Sequence, residues 1–174
     1  MKQYRKTRAQ AGFTLIELVV VIAILAILAA FALPRFAQLS EQAHEASIRA
    51  TAGALSAGVA LVKAQWVSNG LSGAADNIDG FGNDDVDVGP DGWPTATNDS
   101  NSTNMTTGRC QQVWQGVLQA NAPTVTGATP EYEISVQADG NGGGQDCVFT
   151  YQADGQGSNI VYDADTGEIT TNIN

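Results

Sequence analysis

Residues 12–17 read Gly-Phe-Thr-Leu-Ile-Glu and lead directly into residues 18–33, sixteen residues without a charged side chain. The segment is apolar enough for a membrane, yet it contains one carboxylate, that of Glu17. A charge at bilayer depth costs roughly 2.5–3.5 kcal/mol on insertion scales, so an acidic residue there indicates a function and needs a partner. The partner of Glu17 is the first question that this sequence raises.

Cleavage of the chain between Gly12 and Phe13 would create such a partner. The new α-amino group of Phe13 would lie about one helical turn from Glu17. It would neutralise either its own Glu17 or the Glu17 of a neighbouring copy of the chain.

The charges on either side of the apolar segment predict its orientation. The formal net charge of the whole chain is −10, and all eighteen acidic residues follow residue 12. Four basic residues precede the segment, Lys2, Arg5, Lys6 and Arg8, and four follow it, Arg35, Arg49, Lys63 and Arg109. The chain without residues 1–12 therefore carries a side-chain charge near −14. Basic residues before an apolar span mark its cytoplasmic side, so the part of the chain after the span is predicted to be exported. The acidic character of that part argues against direct nucleic-acid binding.

The Gly-Phe-Thr-Leu-Ile-Glu pattern before an apolar helix resembles type IV prepilins, over about residues 1–67. The resemblance implies that residues 1–12 are a leader, removed by a prepilin peptidase that cuts after Gly12 and N-methylates Phe13. It implies that Glu17 and Pro34 act in assembly. It also implies a helical polymer of identical or related pilin subunits, made from an inner-membrane precursor by an inner-membrane assembly platform and displayed on the cell surface. An ordinary signal anchor would leave Gly12, Phe13 and Glu17 unexplained.

Residues 13–69 are predicted to form one long helix in two parts. Residues 13–34 span about 30 Å as a helix, which matches the hydrocarbon thickness of a bilayer. Pro34 cannot donate its amide and is expected to kink or locally break the helix. Residues 35–69 continue as an amphipathic half, which ends at Asn69-Gly70. Its apolar stripe is read as Phe36, Leu39, Ala43, Ala46, Ala50, Ala54, Ala57 and Leu61. Gly53 and Gly58 suggest close approach of another segment.

Residues 70–109 are rich in Gly, Asp, Asn, Ser and Thr and are predicted to be a long polar loop. Its acidic residues at 85, 87 and 91 have the rough spacing of a calcium loop but lack the distal ligands, so a solvated acidic loop is the favoured interpretation. Asn98, Asn101 and Asn104 each begin an Asn-x-Ser/Thr triplet, which the composition alone would produce. The sequence therefore predicts neither calcium binding, by Asp85, Asp87 and Asp91, nor glycosylation of residues 98–106.

Residues 110–174 are predicted to form a short helix followed by an antiparallel sheet of about four strands. Cys110 and Cys147 lie in the exported part, where an oxidising compartment favours a disulfide. The alternatives are two free buried thiols or a metal site, for which the single histidine, His44, lies far away in sequence. The fold class is therefore α+β, with the apolar half of the helix protruding and its amphipathic half packed on the sheet, as in pilins.

The resemblance implies a structural subunit of a surface filament used in adhesion, surface motility or DNA uptake. The segment that begins at Cys110 and the turn Gly92–Pro94 are most similar to major pilins of the mannose-sensitive haemagglutinin type. The alternative is a major pseudopilin of type II secretion, which shares residues 12–34. No catalytic constellation and no cofactor motif stand out, so an enzyme is not expected.

Overall fold

The computed structural model describes residues 12–140 and 144–174. Residues 1–11, which hold most of the predicted leader, lie outside the described residues. The chain divides into two units, one ending at Glu41 and the other running from Gln42 to Asn174. Each unit is described here by itself.

The first element is the helix α1, Leu15–Ser68, which belongs partly to each unit. Helical backbone continues through Pro34, so the predicted local break is absent, although the proline ring removes one helical hydrogen bond. The helix ends as its sequence predicts. Gly70 adopts a positive φ of 72°, and its amide donates to the carbonyl of Val67. This left-handed residue satisfies carbonyls of the last turn.

In the second unit, the packed face of α1 differs from the predicted stripe. The predicted residues from Ala43 to Leu61 are exposed. The buried positions recur with the same helical spacing on another side of the helix: Ile48, Ala52, Leu55, Gly58, Val59, Val62 and Trp66. The prediction of the face was therefore wrong, because this part of the helix carries two apolar stripes. The one with the larger side chains is packed.

Between the helices lies a loop with a small two-stranded sheet. Strand β1, Asp87–Val88, pairs antiparallel with β2, Pro94–Ala96. Ala75 bridges to Val88 on the other side. Lys63 of α1 closes the loop, because its ammonium lies 4.1 Å from the ring centre of Trp66 and 5.0 Å from that of Trp93. Such cation–π contacts hold the loop against the end of the helix.

The second helix, α2, Thr107–Leu118, is followed by a short 3-10 turn, Gln119–Asn121. Thr106 caps its start by accepting a hydrogen bond from the amide of Arg109. The ring of Trp114 packs on those of Phe149 and Tyr132, with centroids 4.4 and 5.1 Å apart. These rings bury the inner face of α2 against the sheet.

The main sheet is antiparallel, in the order β3-β4-β5-β6. Its strands are Tyr132–Ala138, Gln145–Tyr151, Asn159–Tyr162 and Ile169–Asn172. Alternation places apolar residues on the face toward the helices, and the register aligns Ile134, Phe149 and Ile160 across three strands. One hydrophobic core joins this face to α2 and to the packed face of α1. A long N-terminal apolar helix and a four-stranded antiparallel sheet confirm the α+β, pilin-like architecture.

Candidate processing and assembly site

The predicted cleavage position lies just before α1. Phe13 is 93% exposed, and a Cβ atom built on Gly12 would meet no atom within 4 Å. The helix begins two residues later, at Leu15. The Gly12–Phe13 bond therefore lies in open, non-helical backbone, which a peptidase needs in order to bind the chain in an extended form.

Thr14 and Glu17 form a reciprocal hydrogen-bonded pair at the start of the helix. The Glu17 carboxylate accepts from the backbone amide and from the hydroxyl of Thr14, both at 2.8 Å. The Thr14 hydroxyl in turn accepts from the amide of Glu17 at 3.3 Å. This is a capping box, in which the side chains satisfy amides that have no partner within the helix.

The capping box corrects one expectation about Glu17. Nothing in its own helix except a new terminal amine was expected to pair with it, yet Thr14 does so in the uncut chain. The signal was present in the sequence, because Thr-x-x-Glu before an apolar run is the capping-box pattern. Glu17 therefore has a local structural role in addition to any role in assembly.

The apolar half of α1 has its side chains exposed. Its most apolar 18-residue window has a mean hydropathy of 3.0, and none of that window is buried, so length and composition make it a candidate membrane span. Its large exposed side chains include Leu15, Ile16, Ile22, Leu25, Leu28, Phe31 and Leu33. Pro34, at the end of the run, is exposed as well. An apolar surface of this length needs a lipid or protein environment.

The predicted disulfide is present in the second unit. Cys110 of α2 is bonded to Cys147 of β4, with a Cα–Cα distance of 5.5 Å, and both residues are fully buried. No free cysteine occurs in residues 12–140 and 144–174. The bond ties the short helix to the second strand of the sheet, as the sequence indicated.

Asp87 holds the loop through hydrogen bonds that its carboxylate accepts. The residue is fully buried, and its two oxygens accept from the backbone amides of Asn77, Asn98 and Ser100 at 2.9–3.1 Å. The carboxylate of Asp87, the central residue of the weak calcium pattern at Asp85, Asp87 and Asp91, is thus engaged by three backbone amides of the loop.

A different set of carboxylates lies close together at one end of the sheet. One carboxylate oxygen from each of Asp139, Asp146 and Asp163 lies within 4.8 Å of the other two. Burial raises the pKa of Asp146. Asp163 already accepts hydrogen bonds from Asp165 and Thr166 in the β5–β6 turn. Sequence reasoning missed this cluster because the strand register brings together residues far apart in the chain.

No catalytic arrangement was expected from the sequence, and this stays a prediction. A groove of about 510 Å³, lined by Thr124, Pro130, Gln152 and others, contains Glu131 as its one titratable side chain. His44 is hydrogen-bonded to the hydroxyl of Tyr151 at 3.1 Å.

Comparison with known proteins assigns the N-terminal segment. Residues 7–33 match the family model described as the prokaryotic N-terminal methylation motif. A curated relative, the type IV narrow pilus major component PilA5 of Thermus thermophilus, is 44% identical to this chain over 54 residues. The N-terminal region therefore carries the methylation motif and is similar to that of a type IV pilin. This confirms the family recognition that the sequence motif gave.

The similarity to this relative is confined to part of each protein. The match covers 31% of this chain and 47% of the relative, so the chain spans about half the length of the curated protein it matches. No solved structure gave a significant match. The narrower resemblance to the mannose-sensitive haemagglutinin type stays a prediction.

Proposed function

We propose that this protein is a structural subunit of a type IV pilus. The precursor spans the inner membrane through residues 13–34, and prepilin peptidase cuts after Gly12 and methylates Phe13. The assembly platform then moves subunits into a surface filament that serves adhesion, surface motility or DNA uptake. In the filament, the apolar halves of α1 from neighbouring copies cover one another.

One observation carries this proposal: an exposed apolar helix begins at a methylation motif. The motif supplies a processing site, and the bare helix supplies a surface that a monomer in water would not hide. Contacts between identical copies that do not close on themselves produce open helical polymers. A structural polymer therefore accounts for both features, whereas an enzyme tethered by the same helix would leave the methylation motif without a role.

Glu17 gives the sharpest test, because its two roles are separable. Glu17→Gln removes the charge but keeps the capping box, since Glu and Gln both serve at this position. Glu17→Ala removes both, and Thr14→Ala removes the capping hydroxyl at a cost of about 1 kcal/mol while keeping the carboxylate. We expect both Glu17 variants to hold a normal membrane pool and few filaments. Thr14→Ala cells should make filaments.

The assay counts surface filaments by electron microscopy and measures the membrane pool by immunoblotting. Normal filaments with Glu17→Gln but none with Glu17→Ala would mean that the residue acts only as a helix cap. Accumulation of the wild-type chain as a short periplasmic structure, without long surface fibres, would indicate the pseudopilin alternative.

A further inference from the structure

Among the described residues, Arg35 is the basic side chain for which no ion pair, ring contact or hydrogen bond is found. Within residues 12–140 and 144–174, the one ion pair joins Arg49 to Glu45. Lys63 lies between two tryptophan rings, and Arg109 donates to the carbonyl of Ser102 at 2.8 Å. Arg35 is exposed and makes none of these contacts. It directly follows the apolar run and Pro34.

The neighbours of Arg35 on its own helix offer no carboxylate. Side chains three and four residues away are the ones that meet on a helix surface, and here they are Phe31, Ala32, Gln38 and Leu39. The nearest acidic residue is Glu41, which is also exposed and forms no ion pair in the described part of the chain. Six residues separate the two, about 9 Å along the axis and about 120° around it.

Two copies of the helix, side by side and parallel, would bring these charges together. Shifting one copy by six residues toward the C-terminal end of the other, about 9 Å, places its Arg35 beside the other's Glu41. Each copy then still offers an Arg35 or a Glu41 to the next copy. The contact therefore does not close and repeats along a polymer.

The pairing of Phe13 with Glu17 requires a shift in the same direction. The terminal amine of one copy meets the Glu17 of another after a shift of four residues, about 6 Å. In both pairs the positive group precedes the negative one in the sequence. The two shifts differ by about 3 Å, a difference that the long, flexible arginine side chain absorbs. The two offsets are therefore similar in size and direction, and because Glu17 and Glu41 lie about 120° apart around the helix, each pair faces a different neighbouring copy.

We propose that Arg35 of one copy and Glu41 of a neighbouring copy form an ion pair that sets the axial offset between these two copies. The inference rests on the proposed function, because it requires a polymer of this chain. Beside exposed apolar helices, the pair would be partly removed from water, where opposite charges are screened less than at an open surface. Charge complementarity of this kind fixes register between partners.

Charge exchange tests the pair in cells that assemble the wild-type chain. Arg35→Glu and Glu41→Arg each bring like charges together, so filament number should fall by about tenfold or more while the membrane pool stays normal. The double exchange, Arg35→Glu with Glu41→Arg, should restore filaments to within about twofold of wild type, because it recreates the pair in reverse. Arg35→Lys should retain assembly.

The matched control combines Arg35→Glu with Ser40→Arg, which adds a positive charge one residue away on another side of the helix. This control should not restore filaments. Normal filaments in the single variants, equal rescue by the control, or no rescue by the double exchange would each overturn the pair. The last result is expected if Arg35 instead contacts lipid phosphates.

Neutral variants test the same pair if the Arg35→Glu protein is lost from the membrane. Arg35→Gln and Glu41→Gln are then compared singly and together, and the double variant should form no fewer filaments than either single variant. Filament losses that add up in the double variant would overturn the proposal. A wild-type chain that forms no filaments would instead contradict the proposed function, so the two failures are distinguishable.

Discussion

Gly53 and Gly58 of α1 provide the most quantitative test of the packing in the second unit. A Cβ atom built on Gly58 would lie 2.4 Å from Val117 Cγ1 and 3.2 Å from the Val117 carbonyl oxygen, whereas one built on Gly53 would meet nothing within 4 Å. Gly58 is buried and Gly53 is exposed. Replacing each glycine with alanine therefore makes the same chemical change in two different surroundings.

The expected effects have opposite signs. In both variants, alanine gains up to about 1 kcal/mol over glycine in a helix interior. At Gly58 the added methyl must push Val117 and α2 away, and such overpacking costs about 1–3 kcal/mol. Gly53→Ala should therefore stabilise the domain, and Gly58→Ala should leave it less stable than Gly53→Ala by about 1–3 kcal/mol, because the helix-propensity gain cancels in the comparison.

Thermal unfolding of a fragment that begins at Gln42 measures this difference, because the fragment contains the whole hydrophobic core. For a domain of this size, 1 kcal/mol corresponds to a Tm shift of about 3–5 °C. Equal Tm values for the two variants would refute the close contact between α1 and α2. A Gly58→Ala variant more stable than Gly53→Ala would do so as well.

Two further predictions concern the same fragment. The Cys110–Cys147 disulfide closes a separation of 37 residues, so its reduction should lower the free energy of unfolding by about 4 kcal/mol on the chain-entropy model and the Tm by more than about 10 °C. An unchanged Tm together with titratable thiols would contradict this. Burial beside Asp139 and Asp163 raises the pKa of Asp146, so the folded state binds its proton more tightly than the unfolded state and loses stability as pH rises above the ordinary aspartate range. Asp146→Asn should accordingly raise the Tm at pH 7 and flatten its dependence on pH, and an identical pH profile in wild type and variant would refute this.

The strands could be predicted from the sequence because their alternation is local. An antiparallel sheet of about four strands was expected after residue 110, and the structure has four, the last two joined by the turn at residues 163–167. Alternating side chains reveal a half-buried strand without knowledge of what covers it. The disulfide was predicted separately, from two cysteines in the part of the chain that is expected to be exported.

The face of α1 could not be read from spacing alone. The stripe of Ala43, Ala50 and Ala57 and the stripe of Ile48 and Leu55 both recur with helical periodicity, and spacing does not rank them. Side-chain size would have ranked them, because larger apolar side chains gain more free energy on burial. The smaller stripe is the one left exposed in the second unit.

The loop between the helices was beyond prediction for a different reason. Asp87 is held by amides of Asn77, Asn98 and Ser100, which are spread over 23 residues of polar chain. Nearly every residue has a backbone amide, so the sequence does not indicate which amides Asp87 binds. The Thr14–Glu17 capping box, by contrast, follows from a local Thr-x-x-Glu pattern that the sequence contains.

The central claim is that this chain is processed and built into a filament. Filaments sheared from cells and purified should contain the protein, and mass spectrometry of its N-terminal peptide tests the claim most directly. The account predicts that residues 1–12 are missing and that the first residue is Phe13 carrying one added methyl group on its amine. An N-terminus that retains Met1–Gly12 in assembled filaments, or filaments that lack the protein altogether, would contradict the account.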